Sequence, residues 1–381
     1  MKYFLCTFFL LITFYWSDAQ FKVVFKLSQV PLQHNKDTIF IASNFNEWNP
    51  ANRNYFFSAA NNNITIDLPG GDYEFKCTRG GWEKVECLPS GKGITNRSLT
   101  LQSDTTIELN IEAWKDDFVA MPKLHTASSQ VQIMDTAFFI PQLNRSRRIW
   151  IYLPEGYAKN NNNYPVMYMQ DGQNIFDDFT SAFGEWGVDE CLDSLIKLGK
   201  PACIVVAIDN GPKRMNEYNP FYFQQFGEGD QYLKFIVENL KPSVDKKYRT
   251  LSSKENTIIA GSSMGGLISY YAMLQYPAIF GKAGIFSPAF WIAPDIKLLT
   301  DSLAAKINSK FFFYAGEKEG KDYIKNIKDV QEILGKKSSA MVYSLIDTQS
   351  NHDEQAWRKW FAEFYIWIMA DGYNTVIKIK E

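Results

Sequence analysis

The stretch Asn256 to Leu267, NTIIAGSSMGGL, runs from an apolar segment into Gly-Ser-Ser-Met-Gly-Gly and offers two serines as nucleophiles. A serine on a sharp turn between a buried strand and a helix lifts its hydroxyl above the sheet edge. Crowding at such a turn requires small residues two before and two after it. Ser263 meets that requirement with Gly261 and Gly265; Ser262 would place Ala260 and Met264 there, and Met is too large. Ser263 is therefore the predicted nucleophile, against the plainer reading of a Gly-rich helix start. A serine hydroxyl is weak until a base takes its proton. Of the three histidines, His34 falls in a β-rich N-terminal region and His125 in a linker. His352 follows the strand AMVYSLI and precedes the last helix, where a base can hang over the Ser263 turn.

The base needs a carboxylate on its other ring nitrogen. In the chain order Ser, acid, His, the acid follows an intervening strand, which points to FFFYAGEKEG. Glu319 is preferred because it lies past the turn, just before Gly320 opens the next helix; Glu317 reads as a solvated turn charge. Asp347, close before His352, is a weaker third candidate. A tetrahedral oxyanion needs two backbone donors. Met264, directly after the nucleophile, is one. The second is expected from MYMQDGQNIFD, where Gly172 allows close backbone approach and Gln173 is the chosen donor. Asp171 suits the shaping of that turn. The expected pocket lining is Asp171, Trp186 and Asp189 of EWGVDE, Tyr218 of RMNEYNP and Trp291 of SPAFW, each of which core packing would equally explain.

The elements that must hold these residues change character along the chain. Over 20–112 short alternating strands (FKVVFKL, TIFIAS, ITIDL, DYEFKC, SLTLQ, TTIELNI) are separated by turn clusters such as Asn61-Asn62-Asn63 and Pro69-Gly70-Gly71. This predicts a small all-β, immunoglobulin-like sandwich. Residues 113–130 read as a linker. Over 131–372 strands alternate with helical segments: RRIWIYL, YPVMYMQ, helix Trp186 to Leu198, ACIVVAI, helix Gln231 to Tyr248, TIIA and helix Gly266 to Tyr276. KAGIFS, KFFFYAG, helix Lys321 to Leu334, AMVYSLI and helix Glu354 to Met369 follow. Such alternation predicts an α/β domain, a mostly parallel sheet with helices on both faces. Residues 373–381 read as a C-terminal tail.

With 381 residues, 46% hydrophobic and 22% charged, the chain can fill two domains and is not disordered. A formal net charge of -2 without long like-charge runs gives no field for nucleic-acid phosphates. The start, MKYFLCTFFLLITFYWSDAQ, sets Lys2 before an apolar run from Tyr3 to Trp16 and small Ala19 at a cleavage point. Residues 1–19 read as a secretory signal, too short an apolar run to span a bilayer. A secreted or periplasmic protein with no membrane anchor after cleavage is expected. Cys77, Cys87, Cys191 and Cys203 fit two local bridges, 77 to 87 and 191 to 203, or four free thiols equally well. Their spacing is poor for zinc, and serine chemistry needs neither metal nor organic cofactor, so none is expected.

Taken together, YMQDGQNIFD, GVDE, RMNEYNP, AGSSMGGL, SPAFW, YAGEKEG and NHDEQAW, in this order, resemble the esterases of carbohydrate esterase family 1 and the enterochelin-esterase group. The resemblance implies the α/β-hydrolase fold, Ser263 as nucleophile, His352 as base, and Glu319, three residues after Gly316, as acid. IFIASNFNEWNP, DYEFKCTRGGWEKVE and NRSLTL resemble starch- and glycogen-binding modules. That likeness implies a stacking platform of Trp48 and Trp82 with Lys76, Glu83 and Asn96 bonding sugar hydroxyls, although the segment from Glu83 to Asn96 is longer than the family's loop. The leading expectation is a secreted serine esterase removing feruloyl or acetyl groups from plant poly- or oligosaccharide. Within the class, a siderophore ester, favoured by basic Lys213 and Arg214, and acyl transfer to a sugar are alternatives. Outside it stands a carbohydrate-binding protein with an inert hydrolase domain.

Overall fold

The computed structural model describes residues 20–118, 123–221 and 227–370 and the strand Val376–Lys380; the expected secretory signal, 1–19, lies outside the described residues. The chain divides into two compact units, Met1–Met121 and Pro122–Glu381.

The first unit is built from β1 (Gln20–Gln29), β2 (Ile39–Ser43), β3 (Phe56–Phe57), β4 (Asn63–Pro69), β5 (Gly71–Thr78), β6 (Glu86–Cys87), β7 (Arg97–Leu101), β8 (Thr105–Asn110) and β9 (Ala113–Trp114). Strands β4-β1-β8 form one sheet and β3-β2-β5-β7 another. Alternation turns Val23 and Phe25 of the first sheet and Ile41, Phe75 and Leu101 of the second into one shared apolar core. Trp114, fully buried, closes it. The boundary between the units, Met121/Pro122, falls inside the expected linker 113–130, but both ends of that span are bonded into a unit. β9 pairs with β6 in this unit, whereas the Thr126 and Ser128 amides donate to the buried carboxylates of Asp177 and Asp189 in the second unit. All four described cysteines are free thiols.

The second unit carries β10 (Val131–Ile140), β11 (Arg145–Tyr152), β12 (Val166–Gln170), β13 (Ile204–Ile208), β14 (Thr257–Ser262), β15 (Lys282–Phe286), β16 (Lys310–Gly316), β17 (Met341–Asp347) and β18 (Val376–Lys380). They make one sheet in the order β10-β11-β13-β12-β14-β15-β16-β17-β18. The first two pairings are antiparallel and the rest parallel. β18 lies where a tail was expected: it pairs with β17 from Tyr343↔Val376 to Asp347↔Lys380. The helices are α1 (Val188–Lys197), α2 (Arg214–Glu217), α3 (Gly229–Phe235), α4 (Lys241–Lys247), α5 (Met264–Gln275), α6 (Ile296–Leu303), α7 (Lys321–Lys337) and α8 (Glu354–Met369). A π turn, Ile236–Leu240, joins α3 to α4. Pro242 just beyond it has no N–H to continue the regular ladder.

Parallel strands are covered on both faces, so their sequences read as unbroken apolar runs and not as alternation. Odd and even positions still part company. Val166 and Tyr168 pack with Leu267 of α5 in one core, while Met167 and Met169 pack with Trp357 and Phe361 of α8 in the other. Every residue of α5 from Met264 to Leu274 is buried, so the helix that follows Ser263 is anchored along its length.

Candidate active site

Ser263 sits between β14 and α5 with φ 56° and ψ −120°. A non-glycine residue there costs about 1–3 kcal/mol and persists only where its surroundings fix it. They do: the Ser263 N–H donates to the Phe286 carbonyl at 2.9 Å, and its carbonyl accepts from the Leu267 and Ala289 amides at 3.0 Å each. The small neighbours are steric necessities. A Cβ on Gly261 would stand 2.7 Å from the backbone of Gly265, and one on Gly265 would stand 2.9 Å from Gln170 Cβ. Met264 opens α5, so its N–H has no acceptor within the helix and lies at the positive end of the helix dipole.

His352 and Glu319 come together from two loops after β16 and β17. His352 Nδ1 is 2.9 Å from Glu319 Oε2, with the Glu319 side chain only 1% exposed. A carboxylate oxygen only accepts, so Nδ1 carries the proton and Nε2 is the basic nitrogen. The other Glu319 oxygen accepts from Ser287 Oγ at 2.6 Å and from the Gly316 amide at 2.7 Å. Ser287, itself at φ 42°, accepts at Oγ from Trp357 Nε1 at 3.0 Å. Tyr323 and Trp357 meet the His352 ring edge-on, at centroid distances of 5.5 and 5.2 Å. Glu317 is exposed. Asp347 is occupied elsewhere, binding Ser350, Lys359 and Trp360; burial pushes its carboxyl up, but those three bonds outweigh it and hold the group well below the usual range.

The turn after β12 is built around Asp171 at φ 58°. Its carboxylate takes Arg214 Nε and Nη2 at 2.7 Å each and Asn210 Nδ2 at 2.6 Å, and its N–H donates to the Tyr218 hydroxyl at 3.3 Å. Gly172 has no room for a side chain, since a Cβ would stand 2.8 Å from the Ile208 backbone. Gln173 is fixed at both ends: Oε1 accepts from the Asn210 amide at 3.1 Å and its carbonyl from Thr180 Oγ1 at 2.8 Å. Next to it, Asn174 Nδ2 donates to Glu354 Oε1 at 3.3 Å. Glu354 is 8% exposed, and burial pushes its carboxyl up to about 7.

Of the expected lining, Asp171 and Tyr218 support the turn from below. Trp186 is 2% exposed and belongs to the core, packed on Phe286, Trp357 and Phe361. Asp189 is fully buried, bound to the Ser128 amide, and burial raises its carboxyl above the ordinary range. Both are closed off from solvent. Trp291 is half-buried against the core around α5. Sequence reasoning did not single out Asn210, Ser287, Tyr323, Trp357 and Glu354. Ser287 and Trp357 stand inside SPAFW and NHDEQAW, so the motifs pointed to them without giving them a role.

In the first unit Trp48 and Trp82 are half-buried, their ring centroids 6.3 Å apart and the planes 42° apart. Lys76 lies on β5 and Glu83 is exposed. Asn96 Nδ2 donates to Glu74 Oε2 at 3.0 Å.

The family model described as "Putative esterase" matches residues 140–368. Similar chains include YbbA of Bacillus subtilis, 25% identical over 249 residues, 61% of this chain and 96% of that one. The endo-1,4-beta-xylanase/feruloyl esterase of Xylanibacter ruminicola is 27% identical over 257 residues, 66% of this chain; the match spans 33% of that longer protein. Among solved structures, an enterochelin esterase from Shigella flexneri superposes with a TM-score of 0.53 at 16% identity, over 91% of each chain, a likeness of fold.

Proposed function

From the premise that the chain belongs to the esterase family, and is a carboxylic ester hydrolase of α/β-hydrolase type, we propose that Ser263 is its nucleophile, His352 its base and Glu319 its acid. The observation that carries this is the 2.9 Å contact between His352 and the enclosed Glu319, on loops of the same sheet that raises Ser263 on its strained turn. Ser263 Oγ attacks the ester carbonyl carbon while His352 Nε2 takes the hydroxyl proton. The Met264 and Gln173 amides receive the oxyanion. Collapse expels the alcohol, which takes the proton from His352. A water activated by the same nitrogen then attacks the acyl-enzyme and releases the acid. Asp171, clamped by Arg214 and Asn210, holds the turn that presents Gln173.

The substrate is a feruloyl or acetyl ester on plant poly- or oligosaccharide, and the protein acts outside the cytoplasm after removal of residues 1–19. Trp48 and Trp82 stack on glucose rings of a polysaccharide, whose axial C–H faces are apolar. A siderophore ester is the second reading, since a cation near the turn would serve a catecholate anion. Arg214 weighs against it, because two of its donors are spent on Asp171. The test is hydrolysis of p-nitrophenyl acetate, methyl ferulate, acetylated xylo-oligosaccharide and a catecholate siderophore ester by the wild type and Ser263→Ala. Cleavage that falls on the order of a thousandfold or more in the variant supports the triad, and the preferred ester decides the subclass. Equal activity in both proteins would defeat it.

A further inference from the structure

Beyond the triad, the segment that follows the oxyanion turn carries aromatic rings outward. Phe179 and Phe183 are 51% and 63% exposed. Single exposed apolar residues are ordinary, but here the Phe179 ring is held in place. His125, which has no part in the triad, stacks on Phe179 with ring centroids 4.0 Å apart and planes 28° apart. The His125 ring is pinned in turn by Asp177, whose Oδ2 lies 2.8 Å from Nδ1. Asp177, 3% exposed, also takes the Thr126 amide at 3.0 Å and the Phe179 amide at 3.1 Å. One buried carboxylate thus orders the backbone under Phe179 and the ring on which Phe179 rests.

The same segment is tied to the turn that presents Gln173. Thr180 Oγ1 donates to the Gln173 carbonyl at 2.8 Å, and the Ala182 amide to Asn174 Oδ1 at 3.4 Å. Phe179 and Phe183 thus flank a segment bonded directly to the turn that presents Gln173. We propose that Phe179, held on His125, forms with Phe183 a shelf that takes the planar aryl ring of an aromatic ester. This rests on the triad reading and refines its substrate. A phenyl ring has no polar atom for sugar hydroxyls, whereas offset or edge contact with another aromatic ring is favourable. A ring ordered before the ligand arrives, as Phe179 is by His125, costs little further entropy when it binds.

Phe179 and Phe183 are exposed, so their truncation leaves the fold intact. Steady-state hydrolysis of methyl ferulate and of methyl butyrate, which has no ring, is measured for the wild type, Phe179→Ala, Phe183→Ala and His125→Ala. The expected result is a loss of about tenfold in kcat/KM on methyl ferulate for Phe179→Ala, the worth of one aromatic contact, carried by KM. Phe183→Ala and His125→Ala lose less, and methyl butyrate hydrolysis stays within about twofold throughout. Equal losses on both esters, or none on either, would overturn the shelf and leave the triad standing. Saturation-transfer NMR of free ferulate on Ser263→Ala reads the shelf without turnover. Ring contact that disappears on adding Phe179→Ala supports it even if no ester is cleaved, and contact that persists, or is absent from the start, overturns it.

Discussion

Two tryptophan pairs, one in each unit, have nearly the same internal geometry. Trp48 and Trp82 stand 6.3 Å apart at 42°, and Trp186 and Trp357 stand 5.7 Å apart at 35°. What differs is their cover. The first pair is half-buried. The second is 2% and 4% exposed, enclosed by Phe286 and Phe361, and spends the Trp357 indole N–H on Ser287. A ring pair left open keeps its apolar faces for a ligand. Once covered, it becomes a rigid wall, and in the second unit that wall bears on His352.

This contrast can be broken in several ways. The largest effect should come from Trp186→Ala, which empties a large buried volume; a loss of about 3–5 kcal/mol is expected, read as a melting temperature roughly 10 °C lower. Trp357→Phe keeps a ring against His352 but removes the donor to Ser287. We expect kcat to fall by about tenfold, KM to hold and the melting temperature to move by only a few degrees. A collapse of stability instead would mean that the indole N–H serves the fold more than the acid. Trp48→Ala should do the reverse: retention on an amylose column is lost, while melting and esterase rates stay level with wild type. If retention survives, the open pair is no platform.

A separate effect, on pH dependence and not on the melting point at neutral pH, concerns Glu354, which opens the helix that carries Trp357. Burial pushes its carboxyl up to about 7, so between pH ~4.5 and ~7 the folded chain holds a proton that the unfolded chain releases. That contribution to stability is fully present below the unfolded value and fades as pH rises through the folded one. Glu354→Gln should remove the slope, so that the variant gains on wild type by on the order of 2 kcal/mol between pH 5 and pH 8 in denaturant melts. Parallel curves for the two proteins would place the proton elsewhere.

The legible parts of the chain were those where local sterics leave one answer. Gly261 and Gly265 single out Ser263 because the turn has no space for a side chain, whereas the strand FFFYAG leads to Glu317 and Glu319 alike, and only the fold brings Glu319 to His352 and leaves Glu317 exposed. Trp186 misled because EWGVDE surrounds it with charge; only tertiary packing shows that the ring turns inward while Glu185 pairs with Arg358 and Asp189 takes the Ser128 amide. β18 was hidden because VIKIK alternates like an exposed strand, and its partner β17 is far away in sequence. The expected linker started too early for a similar reason: Ala113 and Trp114 are too short a strand to be seen before β6 pairs with them. Ser287 could not be found from sequence, since its role depends on Glu319 and Trp357 meeting at one hydroxyl.

The central claim is that Ser263 is the activated nucleophile, and covalent trapping tests it most directly. The wild type and Ser263→Ala are treated with a fluorophosphonate, weighed intact and mapped by peptide mass spectrometry. A single adduct on Ser263 in the wild type and none in the variant is the expected result. An adduct on another residue, or an unmodified wild type, would contradict it.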